Sequence, residues 1–143
     1  MPKIVPVDAR GFDLFGDFIG LTLIKCENGH SQYVLEVSDR HLNPLRTAHG
    51  GATYTMTDSG MGAALYATLD DDELCSTIET KIVYFRAVRS GKLVCDTKII
   101  HRSKRIAVLE SEITQGGRLI AKAIGTWSIF KTREASNASS SSY

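Results

Sequence analysis

The chain has 143 residues, with 17 Lys and Arg against 16 Asp and Glu, for a formal net charge of +1. That length fits one domain, its 43% hydrophobic and 23% charged residues are ordinary globular usage, and a charge so near zero provides no electrostatic footprint for nucleic acid or an anionic membrane. No apolar run approaches the roughly 20 residues of a membrane span, and Met1-Pro2-Lys3-Ile4-Val5-Pro6-Val7-Asp8 lacks the apolar core of a secretory leader, so a soluble, cytoplasmic protein is expected.

In chain order, Phe12, Phe15 and Phe18 are spaced by three and predict a short amphipathic helical or turn segment over 9–18. Segments 21–27 and 31–38 read as a hairpin about Asn28-Gly29, with Tyr33, Leu35 and Val37 on one face. A loop with Asn43-Pro44 follows over 39–49, then a helix over 50–69 that ends before the solvated acidic run Asp70-Asp71-Asp72-Glu73. The remainder reads as strands at 75–85, 92–101, 105–114 and 119–130, joined by turns at Ser90-Gly91, Ser103-Lys104 and Gly116-Gly117. In the first of these, Ile78, Ile82 and Tyr84 alternate against Thr77, Glu79 and Lys81.

The order β-β-α-β-β-β-β predicts an α+β fold, one antiparallel sheet with one long helix, forming a single domain over 1–134. The Ser-rich stretch over 135–143 reads as a flexible tail, and its Asn137-Ala138-Ser139 fits a glycosylation sequon by chance.

Cys26, Cys75 and Cys95 are odd in number and widely spaced, which argues against a disulfide framework. Cys26 and His30 form the one local Cys/His pair, with no second pair to complete a tetrahedral site, so no metal is expected. Gly60-Met61-Gly62-Ala63-Ala64-Leu65 and Asp58-Ser59-Gly60-Met61-Gly62 imitate a dinucleotide fingerprint and a nucleophile elbow, but neither completes its pattern.

In the helix, Ala52, Gly60, Gly62, Ala63, Ala64 and Ala67 are spread round the axis, and the last strand places Leu119, Ala121, Ala123, Gly125 and Trp127 on one face. Small residues on both partners predict a sheet curled closely around an enclosed helix. A carboxylate in such a helix is costly unless paired or functional, and Asp58 lies in its middle. The helix opens on Asn43-Pro44-Leu45-Arg46-Thr47-Ala48-His49-Gly50-Gly51, which combines an amide, an imidazole and bare N–H groups at the positive end of the dipole.

His41-Leu42-Asn43, His49-Gly50-Gly51 and Asp58, nine residues after His49, resemble the signature of hotdog-fold acyl-CoA thioesterases of the phenylacetate-pathway and 4-hydroxybenzoyl-CoA group. Tyr84-Phe85-Arg86-Ala87-Val88 is similar to the strand that follows there, and the likeness spans about 12–130. The resemblance implies a hotdog fold and hydrolysis of an acyl-CoA to acid and free coenzyme A. Asn43 and the Gly51 amide would hold the thioester carbonyl, His49 would support the loop, and Asp58 would activate water or attack directly. Thr77 falls where some relatives orient the water. Gly50 and Arg86 are assigned to the coenzyme A side. Apart from the resemblance, the basic cluster Lys98, His101, Arg102, Lys104 and Arg105 reads either as a phosphate contact, through Arg102, Lys104 or Arg105, or as a solvated hairpin tip that needs no ligand. No further cofactor is implied. Two departures stand out: Arg46 replaces the family glycine three before His49, and Gly62 offers no hydroxyl one turn beyond Asp58.

Gly51 and Asp58 are seven residues apart, roughly 10 Å along a helix. Attacker and carbonyl donor must meet at one carbon, so a homodimer or dimer of dimers with shared sites is expected. The rival expectations are a non-catalytic acyl-CoA-binding module and a hotdog dehydratase or hydratase.

Overall fold

A computed structural model describes residues 2–132; the tail expected over 135–143 lies outside the described residues. The elements are α1 (Leu14–Ile19), β1 (Thr22–Glu27), β2 (His30–Val37), a 3-10 turn (Asp39–His41), α2 (Gly50–Tyr66), β3 (Glu73–Tyr84), β4 (Gly91–Arg102), β5 (Ile106–Gln115) and β6 (Arg118–Lys131). Six antiparallel strands form one curled sheet in the order β1-β2-β4-β5-β6-β3, and α2 touches every strand. This is the α+β hotdog architecture that the resemblance implies. Asn28 and Gly29 both adopt positive φ, 51° and 72°, which gives the turn the twist that antiparallel strands need.

The sheet meets α2 through small and polar side chains. A Cβ on Gly60 would lie 2.6 Å from Thr97 Oγ1, and one on Gly125 would lie 2.5 Å from Met61 Sδ, so a side chain at either position would force its neighbour to shift. Ser31 Oγ donates to the Gly60 carbonyl at 2.7 Å, while the Cys26 and Cys95 thiols donate to the Ala63 and Met56 carbonyls. These bonds satisfy polar atoms inside the contact, as burial demands. Around them pack Met56, Met61, Leu65, Leu35, Leu93, Leu109 and Ile113, all fully buried.

Five sequence expectations are corrected. The helix ends at Tyr66, because Thr68 and Leu69 bond back three residues and tighten the last turn. The following strand starts at Glu73 rather than at 75. A bulge between Thr77 and Glu79 leaves Ile78 unpaired and 56% exposed, so it does not share the face of Ile82. A register shift at Ile113/Thr114 likewise turns Leu119 out and Ile120 into the core. Finally, α2 is enclosed on one side only. Thr53, Met56, Thr57, Gly60, Met61 and Ala64 are buried, whereas Gly51, Tyr54, Asp58 and Gly62 lie on a face left partly open.

Candidate active site

The open face of α2 carries Asp58, the candidate catalytic carboxylate. Asp58 is half-buried, and its Oδ1 accepts a hydrogen bond from Thr77 Oγ1 at 2.8 Å. The β3 bulge makes this possible. Thr77 pairs with Trp127 across the sheet and points with it toward α2, and beyond Ile78 the inward phase resumes at Thr80 and Ile82. A hydrogen bond to an ionised carboxylate is among the stronger kinds and fixes its orientation. Asp58 stands on the rim of a groove of about 500 Å³, where Gly62, Ala63 and Tyr66 of α2 meet Trp127 and Cys75 of the sheet and Phe12 near α1. Burial pushes the Cys75 thiol up to about 11, so it is a poor nucleophile at neutral pH.

The loop before α2 is built by its own side chains. Asn43 Oδ1 accepts from the backbone N–H of Leu45 and Thr47, and Asn43 Nδ2 donates to Thr47 Oγ1. Arg46 has φ of 62°, so it occupies the left-handed conformation natural to the glycine it replaces. Its guanidinium lies 3.5 Å from the Asp39 carboxylate, both exposed. His49 is the N-cap of α2, and its Nδ1 accepts from the Gly51 N–H at 2.8 Å.

These bonds show how two of the expected carbonyl donors are engaged within the chain. Asn43 shapes the loop, spending its oxygen on Leu45 and Thr47 and one amide N–H on Thr47. The Gly51 N–H is occupied by the His49 ring. Gly50, the first helical residue, keeps an N–H that no hydrogen bond among the described residues engages. Its carbonyl accepts from Tyr84 Oη at 3.0 Å, which ties the end of β3 to the helix start.

The basic residues divide between the two ends of α2. Arg102 sits 3.6 Å from Glu73, and Lys104 and Arg105 share a cleft of about 220 Å³ with Asp70 and Glu73, so carboxylates offset that cluster. Arg86 lies at the other end, where the Ala48 N–H bonds to the Val88 carbonyl beside the helix start. It lines a cleft of about 320 Å³ with Gln115 and Arg118, and neither arginine has an ion-pair partner among the described residues. The structure thus joins Asp58 to Thr77, gathers His49, Gly50 and Gly51 at one helix end with Arg86 nearby, and separates Arg102, Lys104 and Arg105 from them. Sequence reasoning missed Arg118, Phe12, Asp13 and Ser59. All four enter through contacts between distant segments, which no local pattern marks.

Residues 45–122 match the model of the thioesterase superfamily. The chain belongs to that superfamily. A conserved protein of Pseudomonas aeruginosa, PA5202, is 31% identical with a TM-score of 0.79, over 82% of this chain and 94% of that one. A variant of the phenylacetic acid degradation protein PaaI from Thermus thermophilus is 26% identical with a TM-score of 0.76, over 81% and 98%. The 1,4-dihydroxy-2-naphthoyl-CoA hydrolase of Listeria monocytogenes is 23% identical over 96 residues, covering 67% of this chain and 78% of that protein. Relatives named as thioesterases and hydrolases place the chain among hydrolases at the family level. No helix among the described residues is long and apolar enough to cross a membrane.

Proposed function

We propose that the protein is an acyl-CoA thioesterase, which cleaves the thioester of its substrate to a free acid and coenzyme A. The observation that carries this reading is the Asp58 carboxylate, held by Thr77 at 2.8 Å on the rim of a groove beside the open face of α2. Held there, Asp58 either takes a proton from water or attacks the thioester carbon. The Listeria relative, whose name specifies a CoA thioester, supports the same substrate chemistry.

The carbonyl oxygen is polarised by an N–H at the start of α2, where the dipole adds to the hydrogen bond. Gly50 supplies it in this arrangement, while His49 and Asn43 hold the loop. Gly50 and Asp58 are eight residues apart, roughly 12 Å along one helix, so the donor comes from the antiparallel helix of a second copy. A phosphate of coenzyme A rests on Arg86 and Arg118 in preference to Arg102, Lys104 and Arg105, because no carboxylate lines the cleft of the first pair while Asp70 and Glu73 line that of Lys104 and Arg105.

The test is release of free thiol from a panel of acyl-CoAs by the wild type and by Asp58→Asn. The variant keeps size and most hydrogen bonding, so kcat falls by about 10²–10⁴ with KM little changed. Turnover undiminished in the variant would remove Asp58 from the mechanism, and binding without turnover by the wild type would leave an acyl-CoA-binding module.

A further inference from the structure

The groove beside Asp58 is walled on its outer side by a segment that the reaction does not otherwise need. Asp13 caps α1 by accepting from the Gly16 N–H at 2.9 Å, and its other oxygen accepts from Ser59 Oγ at 2.6 Å. Ser59 is the neighbour of Asp58, so α1 is pinned next to the reacting carboxylate. Phe12 meets Tyr66 edge-to-face, with centroids 6.1 Å apart. Opposite them stand Trp127, 6% exposed, and Gly62, where a Cβ would come within 3.1 Å of the indole ring.

The lining is uneven in charge. It contains two carboxylates, Asp13 and Asp58, and no cation. The Lys3 ammonium lies 4.6 Å over the Tyr66 ring, but it donates to the Glu73 carbonyl and does not line the groove. Aromatic walls favour apolar atoms, while a carboxylate entering beside two others is repelled and loses its hydration.

We propose that the groove between α1 and α2 is the acyl site, that Phe12 and the Asp13–Ser59 bridge fix its outer wall, and that it selects uncharged acyl groups. This deepens the thioesterase reading and rests on it for the identity of the ligand. Phe12 is 49% exposed, so its truncation removes the wall with little effect on folding.

Trp127 is the chain's only tryptophan, so its fluorescence reports on the groove without any turnover. Titration of the whole protein with S-hexyl-CoA, a thioether that cannot be hydrolysed, shifts the emission, and free coenzyme A does not. Phe12→Ala weakens S-hexyl-CoA about tenfold, the scale of losing one ring's apolar contact, and leaves affinity for free coenzyme A within twofold. In turnover, hexanoyl-CoA exceeds adipoyl-CoA in kcat/KM by at least about tenfold, and Ser59→Ala narrows the gap between hexanoyl-CoA and acetyl-CoA. The proposal is overturned if S-hexyl-CoA and coenzyme A give the same signal, if Phe12→Ala changes both affinities alike, or if adipoyl-CoA equals hexanoyl-CoA. Emission changes with no hydrolysis of any thioester would uphold the groove and sink the thioesterase reading.

Discussion

Thr77 holds one oxygen of Asp58. In the proposed mechanism, the second oxygen of Asp58 is then left for a water or a thioester carbon. Thr77→Val keeps the shape of the side chain and removes the donor. Because Thr77 is exposed, solvent replaces part of what is lost, so kcat should fall about tenfold, toward the lower end for a bond to a charged group. Thr77→Ser should restore most of the rate. A valine variant with wild-type kcat would show that the hydroxyl only packs.

The buried thiols give a second result at this scale. Burial, partly offset by bonds from Thr97 and Ser111, holds Cys95 at about 12, and burial holds Cys75 at about 11, against 9.0 for a free thiol. Below pH 9 both are protonated whether the chain is folded or not, so they leave stability unchanged. Above it only the unfolded chain ionises, and stability falls as pH rises toward 11–12, for Cys95 by up to about 1.4 kcal/mol per pH unit. Urea midpoints at pH 8 and 10.5 should diverge for the wild type, and less for a Cys75→Ala/Cys95→Ala chain; equal slopes would refute the linkage.

Among the elements, α2 lies close to the sheet because glycine stands where a methyl would force its neighbour to shift. Gly60→Ala places a Cβ 2.6 Å from Thr97 Oγ1, itself bonded to Ser111 Oγ at 2.6 Å. Alanine's helix preference of about 1 kcal/mol should be outweighed by overpacking of about 1–3 kcal/mol. A lowered unfolding midpoint in urea would establish the close contact, and a raised one would refute it.

That contact was legible in advance, because small residues on both the helix and β6 pointed to it. So was the hairpin, through Asn28-Gly29, and so was the spacing from His49 to Asp58. The bulge at Ile78 was not. Strict alternation put Ile78 with Ile82, and nothing in a single strand records that its partner β6 advances one residue while β3 advances two. For the same reason alternation placed Leu119 inside, and a shift in pairing between two strands reversed it. Nor was the bond at the helix start: the motif cannot say which N–H the His49 ring will occupy.

At the scale of the whole molecule, one chain leaves two adjoining surfaces open. β3 is an edge strand of 12 residues with Ile78, Val83 and Tyr84 exposed, and long apolar edges invite pairing. Beside it lies the open face of α2, with Asp58 and Gly50 roughly 12 Å apart along the axis, too far for the proposed mechanism to join them within one chain. A two-fold partner that continues the sheet at β3 would cover both and bring each Asp58 to the other chain's helix start. This makes complementation the decisive experiment. Gly50→Pro removes the proposed donor, since proline has no N–H, yet proline is favoured at the first helical position, and His49 already has the extended backbone (φ −61°, ψ 134°) that must precede it. Its ring requires Tyr84 to shift by a few tenths of an ångström. Gly50→Pro and Asp58→Ala should each lower kcat by about 10² or more when pure. Mixed in equal amounts and allowed to exchange, half the dimers are hybrids, and each hybrid holds one intact site, with Asp58 from one chain and Gly50 from the other. Activity should recover to about a quarter of wild type, the share expected for random pairing in a two-fold dimer. If exchange is demonstrated and activity stays at the sum of the two pure variants, carboxylate and donor belong to the same chain and the shared site is wrong.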